Sequence, residues 1–371
     1  MSVFEQPLLE QLETRSGTSL VLSGGATKAF YFHIGVLKAL HLHNQDITSI
    51  VGSSAGAVLG AMIASGIDID TLHDGVFQDE LYLPELERWV KTVTTSTLFR
   101  PRFGGILRQG VATGIASAKL LLSLPLLVGR DILAEVLDTL ANSQSQVSSF
   151  FSAAELEQMV FGLLDEHSFG DMQTDLYVTA TDIDSNRRAV FNARYTGIDD
   201  HNRFYDDVPV PTAVRASVSV PGLFEPVKIH GRYYVDGEIK RTLSADIGIH
   251  LSDTVIVSHT YQPLKRPGGR SVKNMGYLSI LKQSLYVIFY ERIRIWKEIY
   301  EERYPDKRII MIMPRPDDEF FFRAPQFTFK PEIVRALIQS GEEAARYALT
   351  DYRDTHDDID DIDDVLAPIY R

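Results

Sequence analysis

The pentapeptide Gly52-Ser53-Ser54-Ala55-Gly56 fits G-x-S-x-G, a spacing that lets a serine hydroxyl act as nucleophile on an ester carbonyl. That chemistry needs a sharp strand-to-helix turn, which lifts the hydroxyl above the sheet end. Side chains two residues to either side would collide in such a turn, and Gly52 and Gly56 remove them. An apolar run, Ile47 to Val51, leads into the motif, and a small-residue run, Ala55 to Ala64, leaves it. The following helix also offers backbone N–H groups and a positive dipole end to developing negative charge. Read alone, the pattern is weak, because a Gly/Ser loop packing a helix against a strand looks the same.

A second candidate lies about 30 residues earlier. Ser23-Gly24-Gly25-Ala26-Thr27-Lys28 follows a short strand, Ser19 to Leu22. Consecutive glycines let N–H groups turn into a cavity with no Cβ in the way, so the loop can hold an oxyanion or a phosphate. Neither a P-loop nor a G-x-G-x-x-G dinucleotide fingerprint is present.

A serine nucleophile needs a proton acceptor. Among ten histidines, His259 has the best context, just after the strand-like TVIVS. Asp236 competes with it, standing in Tyr233-Tyr234-Val235-Asp236-Gly237-Glu238 at the end of a short β run, where a turn can present its carboxylate at the sheet edge.

The elements that must position these groups alternate. Strands are expected at Ser19 to Leu22, Ile47 to Val51, Leu176 to Asp182, Arg188 to Asn192, Thr254 to Ser258 and Arg308 to Met313. Helices are expected at Lys28 to Leu42, Ala55 to Ala64, Met275 to Arg303 and Pro331 to Leu349. In the long third helix, Leu281, Leu285, Phe289, Ile293 and Trp296 form an apolar stripe. Continuously apolar strands between helices imply a mainly parallel sheet covered on both faces. The alternation lapses between Leu72 and Asp171, which reads as a helical insertion or cap.

The chain has 371 residues and a net charge of −13, which argues against nucleic-acid binding through the whole surface. It has no cysteine, so disulfides, zinc–thiolate sites and a cysteine nucleophile are excluded. The charge is uneven. Eight Asp and one Arg fall between Asp351 and Asp364. Arg88 to Arg130 contains no acid, seven basic residues and the apolar run Leu120 to Val128, a combination suited to anionic headgroups and the acyl boundary. That run is too short to span a bilayer. The N-terminus has neither a basic n-region nor a long apolar run, so no secretory signal is expected.

Together, four ordered blocks resemble the patatin-like phospholipase family. They are LSGGATKAFYFHIGVLKAL (Leu22 to Leu40), VGSSAG (Val51 to Gly56), RASVSVPGLFEPV (Arg215 to Val227) and YVDGE (Tyr234 to Glu238). The resemblance covers about Ser19 to Ser258. It implies a three-layer α/β/α sandwich with a mainly parallel central sheet. It also implies a Ser–Asp centre with no histidine, metal or cofactor: Ser54 as nucleophile, Asp236 as base, and the N–H groups of Gly24, Gly25 and Ala26 as the oxyanion hole. Gly52, Gly56, Lys28 and Gly237 support the motifs. The sequence departs from the family where Ala26 and Ala29 replace glycines, and where Glu238 stands in a position usually Gly or Ala. A φ above zero at Ala26 would cost about 1 kcal/mol or more, and Glu238 would bring a second carboxylate near the site.

The expected organisation is an N-terminal extension (1–18), a catalytic domain (19–350) with its cap at about 72–171, and an acidic tail (351–371). The expected activity is cleavage of phospholipid or lysophospholipid esters through an acyl-enzyme. The expected partners are that lipid and a membrane surface met through Arg88 to Arg130, with no nucleic acid. The expected location is cytoplasmic, with peripheral membrane association. The alternatives are an acyltransferase using the same serine, which a His259 near Ser54 would favour, and a non-catalytic lipid-binding protein.

Overall fold

Short runs of β-branched residues such as TVIVS and RIIMI lack the length for helices and pair instead into a sheet. The structure, a computed structural model, describes residues 8–40, 47–78, 80–83, 88–91, 100–101, 149–164 and 167–355. Most of the basic segment Arg88 to Arg130 and the acidic stretch beyond Thr355 lie outside these residues.

In chain order the strands are β1 (Arg15–Leu22), β2 (Ile47–Ser53), β3 (Glu80–Leu83), β4 (Arg88–Lys91), β5 (Arg100–Pro101), β6 (Ser149–Ser152), β7 (Asp175–Asp182), β8 (Arg187–Phe191), β9 (Gly197–Ile198), β10 (Asn202–Tyr205), β11 (Gly222–Phe224), β12 (Val227–Ile229), β13 (Arg232–Asp236), β14 (Ser252–Ser258) and β15 (Arg308–Ile312). The helices are α1 (Ala26–Leu40), α2 (Ala55–Ala64), α3 (Ile69–Gly75), α4 (Ala154–Leu163), α5 (Val210–Ser217), α6 (Ala245–Leu251), α7 (Tyr277–Arg303), α8 (Glu319–Arg323) and α9 (Pro331–Thr355).

The main sheet runs β15-β14-β1-β2-β7-β8-β10-β9. From β15 to β7 every pairing is parallel. Beyond β7 the sheet is mixed, and the β12–β13 hairpin pairs antiparallel with the end of β7. Alternate residues of the central strands feed two cores. Leu20, Leu22 and Ile50 pack with residues of α1, α2 and α9, whereas Val21 and Val51 pack with residues of α6 and α7. The result is a three-layer α/β/α sandwich. In the stretch expected to be a cap, the described residues include α3, α4 and four short strands, β3 to β6.

The stripe expected along α7 is buried over only half its length. Ile293 lies in the second core, but Leu281 and Leu285 are 40% and 45% exposed. The C-terminal half of α7 packs on the sheet; in the N-terminal half the spacing reports helix alone, not burial.

Helices α1 and α9 cross at closest approach through two glycines. A Cβ on Gly35 would stand 1.9 Å from the Ile338 carbonyl oxygen, and one on Gly341 would stand 2.1 Å from that of Phe32. Both obstacles are backbone, so the helices must move apart. Gly35→Ala is expected to lower unfolding free energy by about 1–3 kcal/mol, read from denaturant midpoints. An unchanged midpoint would show that the crossing is slack.

Candidate active site

Ser54 and Asp236 come from strands that arrive from opposite directions at the same edge of β7. Ser53, the last residue of β2, pairs with Thr179. Asp236, the last residue of β13, pairs with Ala180, the next residue along. Ser54 and Asp236 therefore meet where the two strands abut. Both are 5% exposed, and the Ser54 hydroxyl faces the Asp236 carboxyl and favours its charge.

Ser54 is held at φ 52 and ψ −119, immediately before α2. A non-glycine residue there carries strain of about 1–3 kcal/mol, as a serine lifted on a tight strand-to-helix turn must. Gly56 makes the turn possible: a Cβ there would sit 2.2 Å from the Leu22 carbonyl oxygen. The Gly56 N–H donates to the Ser23 carbonyl at 3.1 Å, tying the serine turn to the glycine-rich loop.

That loop brings Gly24 against Ser54; a Cβ on Gly24 would lie 2.8 Å from the Ser54 Cβ. Gly25 and Ala26 have φ of 130 and 59, so Ala26 does adopt the left-handed backbone that costs alanine energy. Lys28 is buried rather than facing solvent. Its ammonium group lies 3.9 Å from the centroid of Phe321, and burial, then neighbouring Lys282, hold its pKa well below the usual lysine range.

Sequence reading did not assign individual roles within RASVSVPGLFEPV. Ser217 Oγ accepts the Ser54 N–H at 2.7 Å. The Ser217 and Ser219 carbonyls accept the N–H groups of Gly237 and Asp236 at 3.3 and 3.0 Å. Thr181 Oγ donates to the Asp236 carbonyl at 2.9 Å. The end of α5 thus braces both halves of the Ser–Asp pair. The signal for it was the run of small residues, whose size permits this approach.

Glu238 extends the site. Its Oε1 accepts the Gly24 N–H at 3.0 Å. Oε2 is buried with no partner in hydrogen-bond geometry, although the Tyr261 hydroxyl faces the carboxyl and favours its charge. Burial raises the Asp236 pKa to about 6, against the lowering effect of the facing Ser54 hydroxyl and of the hydrogen bond from the Glu238 N–H. Burial, then repulsion from Asp236, pushes Glu238 to about 8.

His259 does not join this group. Its N–H donates to the Ile312 carbonyl at 3.0 Å, its Nδ1 accepts the Tyr261 N–H at 3.3 Å, and burial and His33 hold its pKa at about 3. No hydrogen bond joins it to Ser54 among the described residues. The geometry therefore gives no support to a serine–histidine pair.

Above Ser54 lies a cavity of about 300 Å³ with mostly apolar walls, at the low end of the range for small-molecule sites. Phe30, Met62, Phe224 and Phe327 form part of its wall, and Phe77, Val90 and Met159 enter from the cap stretch. Val90 belongs to the segment Arg88 to Arg130. The rest of that segment, expected to meet a membrane surface, lies almost wholly outside the described residues. No helix among the described residues is long and apolar enough to cross a membrane.

A family model described as Patatin-like phospholipase matches residues 20–249. An uncharacterized NTE family protein of Mycobacterium bovis is 26% identical over 243 residues, covering 65% of this chain and 48% of that protein. A patatin-like phospholipase domain-containing protein of Coccidioides immitis is 40% identical over 89 residues, covering 24% of this chain and 11% of that protein. The chain thus spans about half the length of the curated mycobacterial relatives it matches. Among solved structures, VipD from Legionella pneumophila aligns over 91% of this chain and 67% of that chain, with a TM-score of 0.39 and 15% identity.

Proposed function

The chain belongs to the patatin-like phospholipase family, and from that premise we propose that it is a serine acyl hydrolase cleaving phospholipid or lysophospholipid esters through Ser54 and Asp236. The observation that carries this reading is the buried Ser54 side chain facing the Asp236 carboxyl, with Ser54 in the wall of an apolar cavity. The acyl chain lies in the cavity, which leaves the ester over Ser54. Asp236 accepts the hydroxyl proton as the oxygen attacks the carbonyl. The N–H groups of Gly24, Gly25 and Ala26 stabilise the oxyanion. Collapse breaks the ester C–O bond, and Asp236 returns the proton to the leaving alcohol. Water then attacks the acyl-enzyme, with Asp236 again the base. The protein works in the cytoplasm, meeting membranes peripherally, and the insertion helps shape the site.

A fluorophosphonate probe tests this. Folded protein should gain one adduct, on the peptide carrying Ser54, and should release fatty acid from phosphatidylglycerol or lysophosphatidylcholine. A folded protein that takes up no probe overturns the reading.

On this reading Glu238 competes for one oxyanion donor, because its Oε1 already holds the Gly24 N–H. Ionisation near pH 8 adds negative charge where the oxyanion must form. Glu238→Gly is expected to raise kcat several-fold above pH 8, within the roughly 10²-fold that one oxyanion donor is worth. The decline of wild-type activity above pH 8 should vanish with it. Stability gives a second readout. A carboxyl whose folded pKa is raised from 4.5 to about 8 penalises folding increasingly as pH rises between those values. Glu238→Gln should therefore gain in Tm over wild type across that window. Unchanged pH profiles in both variants would show that Glu238 is a bystander.

A further inference from the structure

The N-terminal half of α7 is an apolar surface that the hydrolase reading does not use. Leu278, Leu281, Leu285 and Ile288 are spaced three, four and three residues apart, which puts them on one side of the helix. They are 71%, 40%, 45% and 55% exposed, and Tyr277 beside them is 65% exposed. Isolated exposed leucines need no explanation, but a contiguous apolar stripe marks an interaction surface.

Its surroundings specify the partner. From Thr254 to Tyr290 the chain contains no acidic residue and five basic ones. The exposed cations Lys265, Arg270 and Lys273 lie on the turn leading into α7. Arg266 is held by Glu319 at 3.1 Å, and Lys282 is turned inward onto the Phe322 carbonyl. The outward charge of the segment is therefore positive. Exposed apolar side chains beside lysines and arginines match a surface with anionic headgroups over an acyl region.

The patch is rigidly joined to the candidate active site. Gln283 exchanges two hydrogen bonds with the backbone of Leu264, at 3.0 and 3.1 Å, fixing the basic turn to the helix. Tyr286, on the opposite side of α7, accepts a hydrogen bond from Gln326 at 3.2 Å. Gln326 opens the segment whose Phe327, Phe329 and Pro331 line the cavity above Ser54.

We propose that the N-terminal half of α7 and the basic turn before it form a docking surface for an anionic phospholipid bilayer, seating the apolar cavity next to its lipid. The occupant is a bilayer rather than a second copy of the chain, because two copies meeting here would bring their Lys265, Arg270 and Lys273 groups together. This inference rests on the hydrolase reading for its purpose, but not for its test.

The test is vesicle co-sedimentation of the full chain. Wild type should pellet with vesicles of phosphatidylcholine containing about 30 mol% phosphatidylglycerol, an anionic probe surface. It should bind pure phosphatidylcholine vesicles much more weakly and lose binding in high salt. Two variants separate the contributions: Leu278→Asp/Leu285→Asp/Ile288→Asp and Lys265→Glu/Arg270→Glu/Lys273→Glu. Each should weaken binding to the anionic vesicles by more than tenfold, while both keep wild-type hydrolysis of a short-chain water-soluble ester. The second changes only exposed turn residues, so it remains informative if the first misfolds. Wild-type affinity in the charge variant, or no wild-type binding to anionic vesicles, overturns the proposal. So does a wild-type dimer in light scattering that the apolar variant dissociates without loss of vesicle binding. Vesicle binding by a protein that takes up no fluorophosphonate would leave the docking surface standing and remove the hydrolase reading instead.

Discussion

Ser54→Ala should retain the fold and lose fluorophosphonate labelling, with ester turnover falling by roughly four to six orders of magnitude. The substitution removes one buried hydroxyl that faces Asp236. The turn is unaffected, because the Ser54 N–H remains on Ser217 Oγ. Residual rate enhancement would come from substrate binding and the oxyanion donors. The strained backbone supplies a companion result. At φ 52 and ψ −119, alanine keeps the backbone strain that serine bears and glycine relieves it, so Ser54→Gly should be more stable than Ser54→Ala by about 1 kcal/mol. A thermal melt in that order, with both variants inactive, would show that the site stores strain to present the hydroxyl. Turnover within tenfold of wild type in either variant would place the nucleophile elsewhere.

Asp236→Asn should lower kcat by about 10³- to 10⁴-fold with little change in KM. An amide fills the same space and can still accept the Glu238 N–H, but it cannot take the serine proton. In wild type the base must be ionised. Activity should therefore fall as pH drops through about 6, the value to which burial lifts Asp236. This acid limb should disappear in the variant, whose remaining rate should follow hydroxide. A variant that keeps the limb near pH 6 would assign the titration to another group.

Much of the parallel core was legible because its signals are local. ITSIV, TVIVS and RIIMI are apolar over lengths that only strands use, and each became one. G-x-S-x-G and the Asp-Gly turn could be found because tight turns restrict residue type. What could not be read was pairing across long separations. YYVDG identifies a turn, but not that its strand continues along β7 where β2 stops. RASVSVPG shows small residues, but not that Ser217 and Ser219 brace both ends of the Ser–Asp pair. Glu238 was visible as an acid beside the site, but its hold on Gly24 depends on a contact between residues 214 positions apart. The stripe on α7 fails differently: periodicity defines a face, and only packing decides what covers it.

The shared edge of β7 also bears on when the protein can become active. The ribosome delivers Ser54 long before Asp236, and the two acquire their mutual position only when β13 docks beside the end of β2. Such long-range pairings are slow steps in folding. A nascent chain therefore carries a serine without its base, and on the proposed chemistry its capacity to attack lipid would arrive with the closing of the sheet.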